Sequence, residues 1–410
     1  MRGTRVLATA LVAILLAAPL VAATTTLSPT ANATSGTVSN PTNAYSNDNT
    51  GALVSSNTSS LTVSGFPGTD LGTITGVTVW VRYRTTAAPA NDTYRFDAAT
   101  DGATFNQTIV GAITTNQTTY VDVSASLGAL TWTQVGTLAV RCQTAKSAQA
   151  DGYSVDWDAA WIVVTYTPPT PTTTVGNGTN PGSTSLCPGG SATEVDAFTL
   201  STNTGTDTAV ALQVNFGAGT NAGVGLVEIT NDAGTEVYGS ATNPTAPQII
   251  SLSGFPSITT SAVQYKVRVT PKSHAGMPTV PGANYAVTAV VDGLTSTNPK
   301  TYSDTASATV TIDNLSPGDA TWGTVTPDDA QVSLAWTNPG DADFAGVVVL
   351  RGTASITDAP TEGATYTVGA TVGSTVVRYV GSGTSFTDTG LTNGTSYWYK
   401  VFSRDGCVNY

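Results

Sequence analysis

The chain has 410 residues, of which 10% are charged, and its 27 acidic against 15 basic residues give a net charge of −12. An acidic chain repels nucleic-acid phosphates and anionic lipid, so we expect neither as a partner. Its 41 glycines and its long Thr, Ser and Asn runs disfavour a helical protein. Thr and Val favour strands, whereas Gly, Asn and Asp favour turns.

The N-terminus has the layout of a secretory signal peptide. Arg2 and Arg5 precede an apolar run over residues 6–20, and small residues follow. The alternative, a transmembrane anchor, needs a longer apolar run. We therefore predict residues 1–23 as a cleaved signal peptide, with residues 31–33 as a second cleavage site. The mature protein is then expected to be secreted, extracellular or at the cell surface, without a membrane span.

The first predicted domain covers residues 24–167. Residues 74–84 alternate with period two, which indicates a strand with one buried face and Trp80 on the other. Residues 157–166 predict the closing strand. The Pro- and Thr-rich residues 168–174 then predict a stiff linker.

Four segments of this domain carry a resemblance. They read NPTNAYSNDNTGA, GFPGTDLGTITGVTVWVRYR, LTWT and VDWDAAWIVVTYT. Together they resemble a module of bacterial surface and phage-tail-like proteins, which implies a β-sandwich.

The second predicted domain covers residues 175–313. Apolar residues alternate with polar ones in three segments, over residues 210–216, 263–270 and 285–291. Alternation on one face is typical of antiparallel sandwiches. With the exit sequence ATVTIDNLSP, the domain resembles immunoglobulin-like repeats of bacterial cell-surface proteins.

The third predicted domain covers residues 314–410 and contains LAWTNPGDADFAGVVVLR followed by TGLTNGTSY. These segments resemble a fibronectin type III domain. The resemblance implies a core Trp336, a core plug at Leu391 and a tyrosine corner at Tyr397, whose hydroxyl bonds the upstream backbone. The residues after Cys407 are too few for the final strand, so an open sheet edge is expected. Such an edge could accept a strand from a partner.

The expected fold is therefore all-β, with three tandem β-sandwich domains of the immunoglobulin and fibronectin III type. The last of these is expected to lack its final strand and to be truncated.

Little in the sequence supports catalysis, and we expect no enzyme. His274 is the single histidine, which excludes multi-histidine metal motifs, and it has no nucleophile motif beside it. Asp156 and Asp158 flank a tryptophan on one predicted strand. They are either a glycosidase-like carboxylate pair or, as we expect, a solvated acidic face.

Calcium is the cofactor that the clustered aspartates favour most. Asp341 and Asp343 are weak candidate ligands, and Asp304, Asp313 and Asp319 cluster near the second domain boundary. Calcium needs six to eight oxygens, which neither set supplies alone.

The three cysteines fall in different predicted domains, so no bridge within a domain is expected. Cys142, Cys187 and Cys407 are interpreted as buried thiols. The alternative is that Cys187 and Cys407 pair between chains.

These features predict a secreted non-enzymatic surface protein that acts as a spacer, scaffold or adhesin. A second hypothesis is a carbohydrate- or matrix-binding module, because Trp80, Trp398 and Phe402 are predicted on outward faces. A third is an accessory region of a larger secreted enzyme. Partners are expected among other surface proteins or glycans.

Overall fold

A computed structural model describes residues 21–147, 151–277 and 282–410. The chain divides into two compact units, Met1–Thr170 and Pro171–Tyr410. Most of the predicted signal peptide, residues 1–20, lies outside the described residues. None of the helices in the described ranges is long and apolar enough to cross a membrane.

The first unit is built from eleven described strands, one short α-helix (α1, Trp132–Thr137) and a 3-10 turn (Pro41–Ala44). The strands are β1 (Ala23–Leu27), β2 (Ala31–Ser35), β3 (Val38–Ser39), β4 (Ala52–Ser55), β5 (Ser60–Ser64), β6 (Thr73–Thr85), β7 (Thr93–Ala99), β8 (Gln107–Ile113), β9 (Val121–Gly128), β10 (Ala139–Ala145) and β11 (Ser154–Thr167).

The strands of the first unit form two sheets. One has the order β3-β4-β11-β6-β9, with β1 also paired to β11, and the other has the order β2-β5-β10-β7-β8. The predicted inner face of β6 is confirmed, because these residues are buried in the core: Val77, Val79, Val81 and Tyr83. The predicted closing strand is β11, in which Trp157 is fully buried.

A β-bulge in β11 shifts the alternation of inward and outward side chains by one residue. Trp157 pairs with Tyr83, but the next paired residue is Ala159, opposite Arg82. Asp158 is the extra residue. Simple alternation would place Trp157 and Trp161 on one face, and the bulge instead turns Trp161 to the outer face.

The second sandwich begins the second unit and has twelve described strands with two 3-10 turns (Thr220–Gly223 and His274–Gly276). The strands are β12 (Thr173–Asn177), β13 (Thr184–Leu186), β14 (Thr193–Thr202), β15 (Ala211–Phe216), β16 (Val224–Asn231), β17 (Val237–Thr242), β18 (Gln248–Ser251), β19 (Val263–Pro271), β20 (Tyr285–Val287), β21 (Ala289–Thr295), β22 (Lys300–Ser303) and β23 (Val310–Ile312).

These strands form three sheets, in the orders β17-β16-β19-β14-β12-β22, β13-β23-β20 and β18-β15-β21. Most predicted inner residues are buried, as alternation predicts. The prediction is wrong for Val210 and Val263, whose side chains are 53% and 46% exposed. Val210 precedes β15 and Val263 is the first residue of β19, so neither lies within the packed part of a strand. β12 begins at Thr173, within the predicted linker.

The third sandwich has seven strands in two sheets, ordered β24-β25-β29 and β27-β28-β26-β30. They are β24 (Thr321–Asp328), β25 (Gln331–Thr337), β26 (Phe344–Gly352), β27 (Thr371–Val372), β28 (Thr375–Gly381), β29 (Ser385–Thr389) and β30 (Trp398–Asp405). Trp336 lies in the core and Leu391 is buried at the turn. The tyrosine corner is confirmed, because the Tyr397 hydroxyl accepts the Thr392 N–H at 3.1 Å.

The sheet that contains β26 is covered on both faces. Val347 and Val349 pack into the core between the two sheets, whereas Val348 and Leu350 pack into a second cluster on the opposite face. This explains why β26 is a continuous apolar run rather than an alternating one.

Strand β30 lies at the edge of this sheet, paired with β26 on one side. In the part of the chain that the structure describes, no strand pairs with its other side. That a partner strand binds this edge stays a prediction.

Candidate functional site

Two tryptophans form a cross-strand pair on the outer face of the first unit. Trp80 of β6 lies directly opposite Trp161 of β11. Their ring centroids are 5.7 Å apart and their planes differ by 3°. Both side chains are partly exposed. The sequence indicated Trp80 but missed Trp161, because only the bulge at Asp158 brings Trp161 to this face.

A shallow groove of about 380 Å³ begins at Trp161. Its lining side chains are mostly polar or small: Thr26, Ser28, Tyr45, Asn47, Ala159 and Ala160. Tyr45 is held in place, since its hydroxyl accepts a 2.6 Å hydrogen bond from Asn32. The face therefore combines two flat apolar rings with hydrogen-bonding groups.

Next to the tryptophan pair, two buried aspartates are paired with arginines. The Arg82 Nε lies 3.0 Å from Asp158, and the Arg84 Nε lies 2.7 Å from Asp156. The two carboxylates are 0% and 4% exposed. The expected solvated acidic face is therefore wrong, because both groups are covered and neutralised by the neighbouring strand.

Tyr120 completes this ionic network. Its hydroxyl donates to Asp156 at 2.8 Å, and its ring lies under both guanidinium groups, 4.5 Å from Arg84 and 5.3 Å from Arg82. Burial and the adjacent carboxylate raise the pKa of Tyr120 to about 12. Burial also raises the pKa of Asp158, despite Arg82. Each carboxylate is therefore paired with an arginine of β6, and these ion pairs join β6 to β11.

In the second unit, a disulfide joins the second and third sandwiches. Cys187 and Cys407 are 220 residues apart and are bonded, with their Cα atoms 5.0 Å apart. The interpretation of these two residues as thiols is wrong, and they pair within one chain rather than between chains. A bridge between two domains of the same chain is not indicated by the cysteine spacing, because the two residues are 220 positions apart. Cys142 is free and buried, and burial raises the pKa of its thiol.

Residues 405–410, here called the C-terminal clasp, add further contacts to the junction. The His274 ring nitrogen Nε2 lies 3.0 Å from the Cys407 carbonyl oxygen, so His274 contacts the third sandwich across the junction. Asn409 donates to the Asp313 carbonyl at 3.2 Å. The Tyr410 hydroxyl donates to the Ala364 carbonyl at 2.7 Å. The clasp therefore contacts Ala364 within the third sandwich and contacts the second sandwich through His274 and Asp313.

The two aromatic residues predicted on the outer face of β30 differ in surroundings. Trp398 is 41% exposed. Phe402 is partly buried and packs against the second cluster beside β26, with Lys400 over its ring at 4.7 Å. Phe402 therefore does not lie on an open face, because Tyr410 and residues between β26 and β27 pack into the same cluster.

The candidate calcium ligands separate into different environments. Asp341 accepts the Gly318 N–H at 2.9 Å and so holds the entry to the third sandwich. Asp343 lies near Asp313 at the junction of the two sandwiches. Asp319 is exposed.

The remaining candidate, Asp304, lies in the second sandwich. It is 5% exposed and packs beside the fully buried Asp196. Burial raises the pKa of both groups, and for Asp196 the neighbouring carboxylate raises it further. Two carboxyl groups in one buried site therefore retain a proton above the ordinary carboxyl range.

No protein-family model and no curated protein sequence matches this chain. Among solved structures, it is similar to titin domains A168–A170, at 11% identity, 87% of this chain and 90% of that one, and a TM-score of 0.20. It is also similar to chicken CNTN1 FN1-FN3 domains, at 10% identity, 87% and 91% coverage and a TM-score of 0.20. The adhesin domain of Epf from Streptococcus pyogenes matches at 10% identity, 62% and 77% coverage and a TM-score of 0.15. Values this low do not define a family, and the fold assignment depends on the sheets described above.

Proposed function

We propose that this chain is a secreted, non-enzymatic surface protein that acts as a spacer, scaffold or adhesin. The observation that carries the proposal is the disulfide between Cys187 and Cys407, which fastens two sandwiches that already share a junction. Disulfides persist in oxidising compartments outside the cytosol. The bond therefore supports the export expected from residues 1–23. A covalently fixed junction also suits a protein that transmits or resists force.

Export and disulfide formation are tested together. The full chain is produced in a secreting host, and the exported protein is denatured and alkylated before and after reduction. We expect Thr24 as the first residue by mass spectrometry. One cysteine, Cys142, should be labelled before reduction and three after it.

The matched control replaces Cys187 and Cys407 with serine, and this variant should show one labelled cysteine under both conditions. Retention inside the cell with residues 1–23 attached would contradict export. Three labelled cysteines in the exported wild type before reduction would contradict the structural role of the disulfide.

The paired indoles favour carbohydrate binding as a second function. The C–H face of a pyranose ring is apolar and stacks on an indole, while its hydroxyls need polar partners. Trp80 and Trp161 supply two parallel rings, and the adjoining groove supplies hydroxyl and amide groups from Tyr45 and Asn47. An adhesin that binds glycans would use such a face.

A glycan array with the intact exported protein tests this second function. Any glycan that binds is then titrated against W80A and W161A, which should each lose about tenfold or more in affinity. W398A is the matched control, because Trp398 is exposed in the other unit, and it should bind as the wild type does. Thermal unfolding confirms that each variant is folded. A blank array, or equal losses in all three variants, would rule out this site.

A further inference from the structure

The chain enters and leaves the disulfide-closed part of the second unit at almost the same point. Cys187 directly follows β13, and Cys407 lies just after the end of β30. The two cysteines are 220 positions apart, yet their Cα atoms are separated by only 5.0 Å. The backbone is also hydrogen-bonded here, since the Leu186 carbonyl accepts the Asp313 N–H at 2.9 Å. Residues 188–406 therefore form a closed loop whose two ends lie side by side.

This loop contains most of the second unit. The strands from β14 to β23 and all seven strands of the third sandwich lie between the two cysteines, whereas β12 and β13 precede Cys187. The apolar cores of both sandwiches are built mainly from loop residues, and of the core members Val175 and Leu186 precede the loop. Two folded cores are therefore enclosed by one covalent bond.

A covalent cross-link determines which part of a chain carries a pulling force. When force acts on the N-terminal side of Cys187 and on the C-terminal side of Cys407, the tension passes through the two sulfur atoms. The loop carries no tension, because the bond prevents its ends from separating. Hydrogen bonds and apolar contacts are far weaker than a covalent bond, so folded segments open first. The first unit, β12 and β13 can therefore unfold under load, whereas the loop stays folded.

We propose that the Cys187–Cys407 disulfide is a mechanical bypass that keeps the two sandwiches unloaded, and that its reduction releases the loop as additional length. The proposal deepens the spacer or scaffold role and rests on that proposed function for its biological use. With the bond intact, both sandwiches stay folded while the chain is under tension. With the bond reduced, the same chain lengthens and the two cores bear the load.

The releasing reaction is a thiol–disulfide exchange with a dithiol. One thiolate of the dithiol attacks a sulfur atom of the Cys187–Cys407 bond, which breaks as a mixed disulfide forms and one cysteine leaves as a thiolate that takes up a proton. The second thiol of the reagent then displaces the other cysteine, which yields two cysteine thiols and the oxidised, cyclic reagent. Both cysteines are partly exposed, so a dissolved reagent has access from solvent.

The released length follows from the size of the loop. An extended chain spans about 3.3–3.6 Å per residue, so 220 positions span about 730–790 Å. The folded loop contributes only the 5.0 Å between the two Cα atoms. Reduction under load should therefore add about 720–790 Å. Before reduction, only residues 24–187 and 407–410 can extend, which limits the chain to about 550–600 Å.

Single-molecule force spectroscopy on the purified mature chain, residues 24–410, tests the proposal. Handles are joined to both ends, and the chain is held at a constant force above that which unfolds the first unit. Without reductant, the extended length should stop at about 550–600 Å. Dithiothreitol should then produce a further gain of about 720–790 Å. The waiting time before this gain should halve when the thiol concentration doubles, because the attack is bimolecular.

The matched control is C187S/C407S, which should extend to about 1270–1390 Å without reductant and should not respond to dithiothreitol. C142S is a second control, because the free thiol of Cys142 could attack the bond once the first unit has unfolded. It should show the same two lengths as the wild type. The comparison of the wild type with and without dithiothreitol does not depend on the folding of either variant.

Extension of the wild type and of C142S well beyond about 600 Å without reductant would overturn the bypass. No further gain after dithiothreitol is added would overturn the release. Neither measurement requires export, so a failure of the export test would leave this result intact, and the reverse also holds.

Discussion

The disulfide between Cys187 and Cys407 should control how firmly the third sandwich is held. The relevant perturbation is the double variant C187S/C407S, which leaves no new free thiol. We expect the second unit to lose stability and the clasp to open more often. The first unit, which has its own core, should be unaffected.

The expected loss of stability follows from the length of the chain segment that the disulfide closes. In the chain-entropy model, a cross-link between residues 220 apart removes unfolded-state freedom worth about 5 kcal/mol. Removal of native disulfides typically costs about 2–5 kcal/mol. The hydrogen bonds of His274 and Asn409 remain in the variant, so we expect a loss of about 2–4 kcal/mol, or about 5–15 °C in melting temperature.

Hydrogen exchange with peptide resolution is the suitable assay, because it reports the clasp separately from the two cores. Amides of residues 398–410 should exchange faster in C187S/C407S, while those of β6 and β11 stay unchanged. C142S is the control, since Cys142 lies in the first core and is unpaired. A loss below about 1 kcal/mol, with unchanged exchange in the clasp, would refute the reasoning. The noncovalent contacts alone would then fix the junction.

Three further outcomes are expected in the second unit. Y397F removes the acceptor of the tyrosine corner and should cost about 0.5–1.5 kcal/mol in denaturant unfolding. D388N should cost about 2–4 kcal/mol in the same assay, because two partly exposed arginines then lose their buried counterion. The buried pair Asp196 and Asp304 binds protons more tightly in the folded state, so stability should fall as pH rises from about 4 to 8. The mutation D196N should flatten that dependence in urea titrations at several pH values, and an unchanged slope would contradict the assignment.

The strands and most of the core could be predicted from the sequence, because a sheet with one buried face requires period-two alternation. Tyr83 and Val267 lie where the pattern places them. The same rule fails at β26, which is apolar throughout because chain segments cover both faces of its sheet. It also fails at Trp161, because the bulge at Asp158 shifts the alternation by one residue.

The ionic environment of Asp156 and Asp158 could not be predicted for a related reason. Two carboxylates on one strand indicate a solvated face only if the opposite strand is neutral. Here Arg82 and Arg84 alternate on β6 with the same period and meet them across the sheet. The arginines were visible in the sequence, but the register that places Asp156 opposite Arg84 was not.

The junction depends on contacts that no local pattern encodes. Val408 lies within the clasp and has a φ of 67°, a left-handed conformation that is costly for a β-branched residue. Such a conformation persists only where the surroundings impose it. Here the adjacent Cys407 is bonded to the second sandwich, and the Val408 carbonyl accepts the Gly363 N–H at 3.0 Å. The clasp is therefore specified by its partners on both sandwiches rather than by its own backbone preference. This explains why a segment too short to form a strand is well packed at the junction.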